Sequence, residues 1–192
     1  MRIIRASEHK PMPWKNGGGT ATAIVESPDG AGFDAFDWRI SGAHVGRDGP
    51  FSVFPDVDRT MFILRGNELC LHGLAPAPVR LTVTSAPFDF PGDAPVSATL
   101  TDGPVDDLNI MVDRRRFQRM ARRLATGSSA RIEPRGVLLV YAETGEVTIQ
   151  TASDQATLQI HDTLVCDETA DITVGAGSQA ILIEIWPTAQ PG

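Results

Sequence analysis

Residues 13–20 combine residue types that suit the binding of a small anion. Trp14, Lys15 and Asn16 offer a flat aromatic surface, a cation and an amide, and the three glycines at 17–19 follow directly. Because glycine has no side chain to block its N–H group, consecutive glycines can form a concave, anion-binding backbone. The same composition also suits a flexible turn that leads into a strand, and the sequence leaves both interpretations open.

Arg39 lies in a second segment, in which polar and apolar residues alternate. Alternation places Trp38 on one face of a strand and Arg39 and Ser41 on the other. A guanidinium midway along a half-buried strand is costly to desolvate unless it meets a negative charge. We therefore expect Arg39 to face either an anionic ligand or an internal carboxylate such as Asp37 or Asp58.

A third segment, residues 48–59, supplies apolar walls and polar points for a pocket. Phe51 and Phe54 are flat and apolar, whereas Ser52 and Arg59 are polar. Small-ligand sites are mostly apolar clefts with a few convergent polar groups, and an arginine can hold a carboxylate through two parallel hydrogen bonds. Together the three segments predict a pocket for a small carboxylate in the first part of the chain.

Short strands must position these residues, because alternation with a period of two dominates the chain. Val147 and Ile149, for example, alternate with polar neighbours, as expected for a strand with one buried face. The wholly apolar runs at 61–64, 137–141 and 180–186 predict strands that are covered on both faces. Turn-forming Gly, Pro and Asp residues separate the segments, which is typical of an all-β sandwich or barrel.

An internal repeat relates residues 61–112 to residues 137–186. Each copy contains an apolar strand, a glycine-containing turn, a second strand, a turn that ends in Asp, and a closing apolar strand. This order resembles the cupin barrel. The resemblance implies an all-β tandem cupin (bicupin) of two packed double-stranded β-helix, or jelly-roll, barrels. We expect an N-terminal cupin barrel with the pocket over residues 1–112 and a structural C-terminal barrel over 113–192, and exchange of strands between them is left open.

The metal-binding residues of a catalytic cupin have no counterpart in this sequence. Such cupins carry His-x-His followed by Glu, and here Ser52 and Phe54 stand at the histidine positions, with Asp58 or Arg59 at the glutamate position. One carboxylate without imidazoles is not a transition-metal site. The sequence therefore predicts no metal, no other cofactor and no catalytic residue.

Residues 114–124 fit two secondary structures. Phe117, Met120, Ala121 and Leu124 have helical spacing, with arginines on the other face, but the stretch also fits a twisted, basic edge strand. Its arginines could form a solvated face or bind an anionic surface; they are Arg114, Arg115, Arg116, Arg119, Arg122 and Arg123.

The bulk composition limits the classes of function. A net charge of −7 repels phosphate backbones and argues against nucleic-acid binding. Cys70 and Cys166 lie in apolar stretches, and we expect two buried, reduced thiols. The N-terminus has no apolar leader, and no run is long enough to span a membrane. The sequence predicts a cytoplasmic protein without a membrane partner, and a homodimer is left open.

Four motifs resemble the HutD/Ves family in order and spacing. They read PWKNGGGT at 13–20, FDWRIS at 36–41, DGPFSVFPDVDR at 48–59 and DLNIMVDRR at 107–115. The resemblance implies a bicupin associated with bacterial histidine-utilisation genes, whose members bind a pathway intermediate and restrain flux rather than catalyse. It is equally compatible with a Ves-like stress role. The ligand-binding positions it implies are Trp14, Lys15, Asn16, Gly17, Gly18, Gly19, Trp38, Arg39, Ser41, Phe51, Ser52, Asp58, Arg59 and Asn109.

Three functions follow as hypotheses. The first is a non-catalytic protein that binds a small carboxylate, with urocanate or formylglutamate as leading candidates, through Arg39 or Arg59 and a flat wall from Trp38 or Phe51. The second is a metal-free isomerase or hydrolase acting on a small organic acid. The third is a protein–protein interaction module that uses the arginines of 114–123.

Overall fold

A computed structural model describes residues 1–13, 19–32 and 35–189 of the chain. These residues form antiparallel sheets and one three-residue 3-10 helix, Ala6–Glu8. Within the described residues, no helix is long and apolar enough to cross a membrane. The strands are β1 (Arg2–Ile4), β2 (Lys10–Pro13), β3 (Gly19–Ser27), β4 (Trp38–Val45), β5 (Gly49–Pro50), β6 (Val57–Arg65), β7 (Glu68–His72), β8 (Val79–Leu81), β9 (Phe88–Pro91), β10 (Ser97–Thr101), β11 (Val105–Asp113), β12 (Phe117–Leu124), β13 (Ser129–Ile132), β14 (Val137–Thr144), β15 (Val147–Thr151), β16 (Gln155–Leu158), β17 (Thr163–Cys166), β18 (Ala170–Val174) and β19 (Gln179–Pro187).

The chain divides into two compact units. The N-terminal unit runs from Lys10 to Phe117, and the C-terminal unit combines Met1–His9 with the chain from Gln118 onward. The sequence expectation placed the boundary between 112 and 113, whereas the units divide after Phe117. The first residues join the C-terminal unit because β1 pairs antiparallel with β17.

The strand order of the two units reveals their internal repeat. The N-terminal unit has one sheet in the order β2-β3-β4-β11-β6-β9 and another in the order β5-β10-β7-β8. The C-terminal unit has the orders β1-β17-β14-β19-β12 and β13-β18-β15-β16. The run β4-β11-β6-β9 corresponds to β12-β19-β14-β17, and β5-β10-β7-β8 corresponds to β13-β18-β15-β16. The repeat predicted from the alternating pattern is therefore present as two antiparallel, two-sheet units with one topology.

Within the basic stretch 114–124, residues 114–116 form a turn and Phe117–Leu124 form strand β12, so the helical alternative is wrong. β12 lies at the edge of its sheet, hydrogen-bonded to β19. These bonds satisfy its backbone, whereas a helix of this length depends on tertiary packing for its stability. Its arginines are largely neutralised rather than presented as one basic surface. At least four of the six pair with carboxylates: Arg114 with Asp58 and Asp93, Arg115 with Asp56 and Asp113, Arg116 with Asp37, and Arg123 with Glu143.

Each unit has its own apolar core. Both predicted thiols are buried and free, which confirms that Cys70 and Cys166 do not form a disulfide. The N-terminal core contains Val45, Met61, Ile63, Leu69, Leu71, Leu81, Phe90, Val96, Ala98 and Val105. The C-terminal core includes Leu124, Leu138, Val140, Ala142, Val147, Ile149, Leu158, Leu164, Ile172, Val174, Ala180 and Leu182.

Two turns of the N-terminal unit approach each other closely at Gly66. Gly66 has φ +101, and a Cβ built there would lie 2.5 Å from the Pro104 carbonyl oxygen. Gly103 has φ +107 in the facing turn, but nothing lies within 4 Å of its Cβ position. Of these two glycines, Gly66 alone combines a left-handed backbone with a lack of space.

We expect Gly66→Ala to destabilise the protein more than Gly103→Ala. Both changes place an alanine at positive φ, at a cost of roughly 1–2 kcal/mol, but only Gly66→Ala adds a clash with backbone. Urea denaturation of the two variants would measure the difference in the free energy of unfolding. Equal losses would contradict the close approach of the two turns.

Candidate functional site

The six-stranded sheet of the N-terminal unit places several predicted site residues on one face. β11 lies between β4 and β6, and Met111 on β11 is the register partner of both Arg39 and Arg59. Asn109 is likewise the register partner of Ser41. Because side chains alternate along a strand, Arg39, Ser41, Arg59 and Asn109 share a face.

That face is the inner face of the N-terminal unit. Met61 and Ile63 follow Arg59 at intervals of two residues on β6 and therefore share its face. Both belong to the apolar core. The residues themselves are buried: Arg39 is 1% exposed, Arg59 7% and Asn109 4%. Both guanidinium groups therefore point inward, with Met111 between them in the sheet.

Arg39 forms an ion pair with Glu26. A register shift in β3, between Ala23 and Val25, makes Glu26 the strand partner of Arg39 and turns both toward the interior. Burial lowers the pKa of Arg39, and the Glu26 charge opposes that shift. Arg39 therefore faces an internal carboxylate, which is one of the two partners that the sequence led us to expect.

The carboxylates that the sequence suggested for Arg39 have other arginine partners. Asp37 pairs with Arg116, and Asp58 lies 2.8 Å from Nε of Arg114. The reason is alternation, since Asp58 precedes Arg59 on β6 and therefore projects from the opposite face of the sheet.

Arg59 belongs to a buried hydrogen-bond chain on β6 and β11. Its Nη2 donates to Oδ1 of Asn109 at 2.5 Å, and Nδ2 of Asn109 donates in turn to Oδ1 of Asp107. Asp107 is 1% exposed, and its second carboxylate oxygen, Oδ2, makes no hydrogen bond within the described residues. A buried cation is thus linked through a neutral amide to a buried acid.

Three phenylalanine rings surround the Arg59 guanidinium. Its Cζ atom lies 4.8 Å from the ring centroid of Phe90, 5.3 Å from Phe51 and 6.0 Å from Phe54. Cation–π attraction stabilises the charge there, but only partly replaces the water that burial removes.

Burial shifts the pKa values at both ends of this chain. Desolvation lowers the pKa of Arg59 to about 10, against the attraction of Asp107. Desolvation also raises the pKa of Asp107 to about 7; Arg59 opposes this shift and Asp106 adds to it. Near neutral pH, Asp107 is therefore partly protonated while Arg59 remains charged.

The raised pKa of Asp107 makes stability depend on pH. Between about pH 4 and 7 the folded state binds more protons at Asp107 than the unfolded chain does, so the free energy of unfolding falls as pH rises. We expect Asp107→Asn to equal wild type near pH 4 and to exceed it at pH 8 by on the order of a few kcal/mol. Guanidinium denaturation at several pH values would measure this difference.

Asp106→Asn is the matched control, because Asp106 is adjacent but partly exposed and bonded to His44 at 2.6 Å. Its stability should follow wild type across the same range. A loss of stability in Asp107→Asn at pH 8 would mean that Asp107 serves Arg59 mainly as a charged partner.

The structure does not bring every predicted ligand residue to this face. Trp38 is buried on the opposite face of β4, Ser52 is exposed in the loop before β6, and Gly19 begins β3 as the register partner of Val45. Trp38 therefore cannot wall the same pocket as Arg39. Five predicted residues lie outside the described part of the chain: Trp14, Lys15, Asn16, Gly17 and Gly18.

A cavity of about 340 Å³ opens at one end of the N-terminal unit. None of the predicted ligand residues lines it, although its lining residue Phe54 also contacts Arg59. Its charged and aromatic lining residues are Phe36, Asp37, Phe54, Asp113, Arg115 and Arg116. The described residues contain no group of three or more His, Cys, Asp or Glu side chains that could hold a metal ion.

Sequence reasoning missed Glu26, Asp107 and Phe90. Asp107 was detectable, because it lies two residues before Asn109 in the motif DLNIMVDRR and so must share its face. Glu26 was hidden by the register shift of β3, and Phe90 lies on β9, whose pairing with β6 leaves no local signal.

The fold and the buried charges define a cupin-type protein without the histidine ligands of a metal cupin. Solved cupins with low sequence identity share the fold, including an oxalate decarboxylase from Lactobacillus farciminis at 10% identity and a TM-score of 0.67, which covers 98% of this chain and 87% of that one. This confirms the all-β tandem cupin expected from the repeat.

The chain belongs to the HutD family, whose model matches residues 6–183. A Pseudomonas putida protein described as an uncharacterized 21.2 kDa protein in the hutC 3' region is 30% identical over 79% of this chain and 78% of its own length. The protein Ves from Cronobacter sakazakii is 40% identical over 64% of this chain and 69% of its own. The HutD/Ves resemblance is thereby confirmed, and with it the association with histidine utilisation.

Two solved structures resemble nearly the whole chain. A conserved Pseudomonas aeruginosa protein of unknown function has a TM-score of 0.89 at 29% identity, covering 96% of this chain and 98% of that one. HutD from Pseudomonas fluorescens, described as solved in a formate condition, has a TM-score of 0.83 at 27% identity, covering 98% and 99%.

Proposed function

We propose that this protein is a non-catalytic binding protein for a small carboxylate, and that it modulates histidine catabolism. The main support for this proposal is the environment of Arg59. The residue is 7% exposed, phenylalanine rings surround its guanidinium, and it donates a hydrogen bond to a neutral amide. Urocanate and formylglutamate are the leading ligands, because both combine a carboxylate with a planar group.

The charge balance of the inner face supports an anionic ligand. Glu26 neutralises Arg39, but Asp107 neutralises Arg59 only in part, since its pKa lies near 7 and an amide separates the two groups. A carboxylate beside Arg59 would accept charge-assisted hydrogen bonds from the guanidinium in a medium where such pairs are strong.

Access to Arg59 would require movement of the loop before β6. Phe51 and Phe54 are half-buried loop residues, whereas Phe90 is held on β9. Loops between strands are more mobile than the strands they connect. A ligand would therefore displace Phe51 or Phe54 and pack against the ring of Phe90. Phe90 would then form the flat wall for which the sequence suggested Trp38 or Phe51.

The C-terminal unit supports assignment of the site to the N-terminal one. The strands that correspond to β6 and β11 direct Leu138, Val140, Ala142, Ala180 and Leu182 into an apolar core. No counterpart of the arginine chain occurs at those five positions, in keeping with a structural role for this unit. A cytoplasmic location follows from the proposal, since the protein must meet a catabolic intermediate there.

Ligand-induced stabilisation tests the proposal. At a ligand concentration of 100 times Kd, wild type should gain about 2.7 kcal/mol, or about 5–11 °C in Tm. Arg59→Met should lose most of this gain, while Arg80→Met, which removes an exposed arginine paired with Glu68, should retain it. Thermal unfolding with urocanate, formylglutamate and formate provides the measurement.

Absence of a shift in wild type with all three acids would argue against carboxylate binding, and an unchanged shift in Arg59→Met would place the site elsewhere. Turnover of the same acids, followed in parallel, would instead favour the metal-free enzyme.

Affinity should also depend on the protonation of Asp107. As pH rises from 6 to 8 the Asp107 carboxyl ionises and competes with the ligand for Arg59, so Kd should increase. Asp107→Asn should bind with a Kd that is nearly independent of pH. Formate is the probe of choice for calorimetric titration, because it has no group that ionises in this range; a Kd that falls with pH in wild type would contradict the mechanism.

A further inference from the structure

The cavity at the end of the N-terminal unit has a lining unlike that of the Arg59 chain. Its apolar floor contains Phe36 and Val57, which pack with Met111 in a buried cluster. The rings of Phe36 and Phe54 lie 6.4 Å apart at an angle of 59°. A planar group can contact one aromatic ring by its face and the other by its edge in such an arrangement.

The rim of the cavity carries two positive and two negative side chains among its described lining residues. Arg115 binds Asp113 through two parallel hydrogen bonds of 3.0 and 2.7 Å. Arg116 pairs with Asp37. The aspartate side chains are largely buried, at 12% and 19% exposed, whereas the arginine side chains are 64% and 59% exposed.

This charge pattern selects against ligands of a single sign. A simple anion at the arginines would also meet two carboxylates, and a simple cation would meet two guanidinium groups. A zwitterion avoids both penalties, because its ammonium group can approach the aspartates while its carboxylate approaches Arg116, which donates one hydrogen bond to Asp37 where Arg115 donates two to Asp113.

We propose that this cavity binds a free α-amino acid with a flat side chain. Its carboxylate would accept hydrogen bonds from Arg116, its ammonium group would donate to Asp37 or Asp113, and its side chain would lie on Phe36 and Phe54. The volume of about 340 Å³ is in the range of small-ligand pockets. The cavity shares Phe54 with the surroundings of Arg59 but none of its polar residues, so the inference does not rest on the proposed function.

Isothermal titration calorimetry with ligands that share one ring isolates the charge requirement. L-phenylalanine carries both charges, 3-phenylpropionate lacks the ammonium group and 2-phenylethylamine lacks the carboxylate; L-histidine tests a polar ring, and L-alanine removes the ring. We expect L-phenylalanine or L-histidine to bind with a Kd below about 10 mM, and each single-charge analogue and L-alanine to bind at least about tenfold more weakly.

Two variants locate the site. Val53 lines the cavity and is 53% exposed, so Val53→Trp should fill the space without disturbing the core and abolish binding. Arg116→Gln should weaken binding at least about tenfold. Matched controls are Val83→Trp, at another exposed valine, and Arg131→Gln, which removes an exposed arginine paired with Asp171. Both controls should bind as wild type does.

Arg59→Met separates this inference from the carboxylate proposal, because it should leave amino-acid binding intact. Failure of every amino acid to bind at about 10 mM, equal affinity for the single-charge analogues, or normal binding by Val53→Trp would each overturn the inference.

Discussion

The burial of Arg59 is the constraint on which the rest of the N-terminal unit depends. A guanidinium on the inner face of a sheet needs compensation, and here three rings, one amide and one distant acid provide it. Asn109 has the central role, since its amide oxygen accepts from Arg59 while its amide nitrogen donates to Asp107. The network links the Arg59 cation to an acid whose pKa is raised to about 7, so that the ionisation of Asp107 near neutral pH changes the net charge inside the unit.

The second arginine shows how the same problem is solved differently a short distance away. A register shift in β3 brings Glu26 opposite Arg39, so that a charged partner rather than an amide meets the guanidinium. The Glu26 carboxylate balances the Arg39 charge, whereas Arg59 donates to the neutral amide of Asn109.

The tandem repeat explains how one unit can carry such costly groups. Both units have the same strand order, but the C-terminal unit fills its equivalent strands with apolar side chains. Apolar packing of that kind stabilises a domain without polar compensation. The N-terminal copy thus contains buried polar and charged side chains at strands whose counterparts in the C-terminal copy are apolar.

The sequence by itself determined the all-β class, the internal repeat, the family, and the shared face of Arg39 and Ser41, because side-chain alternation and turn residues are local properties of the chain. It could not decide between helix and strand for 114–124, because both patterns are amphipathic and only the neighbouring strand β19 selects one. It also assigned Trp38 to the pocket and missed Glu26 and Phe90. Only the tertiary structure decided these points, because a register shift and the pairing of strands distant in sequence arise from packing and leave no periodic signal.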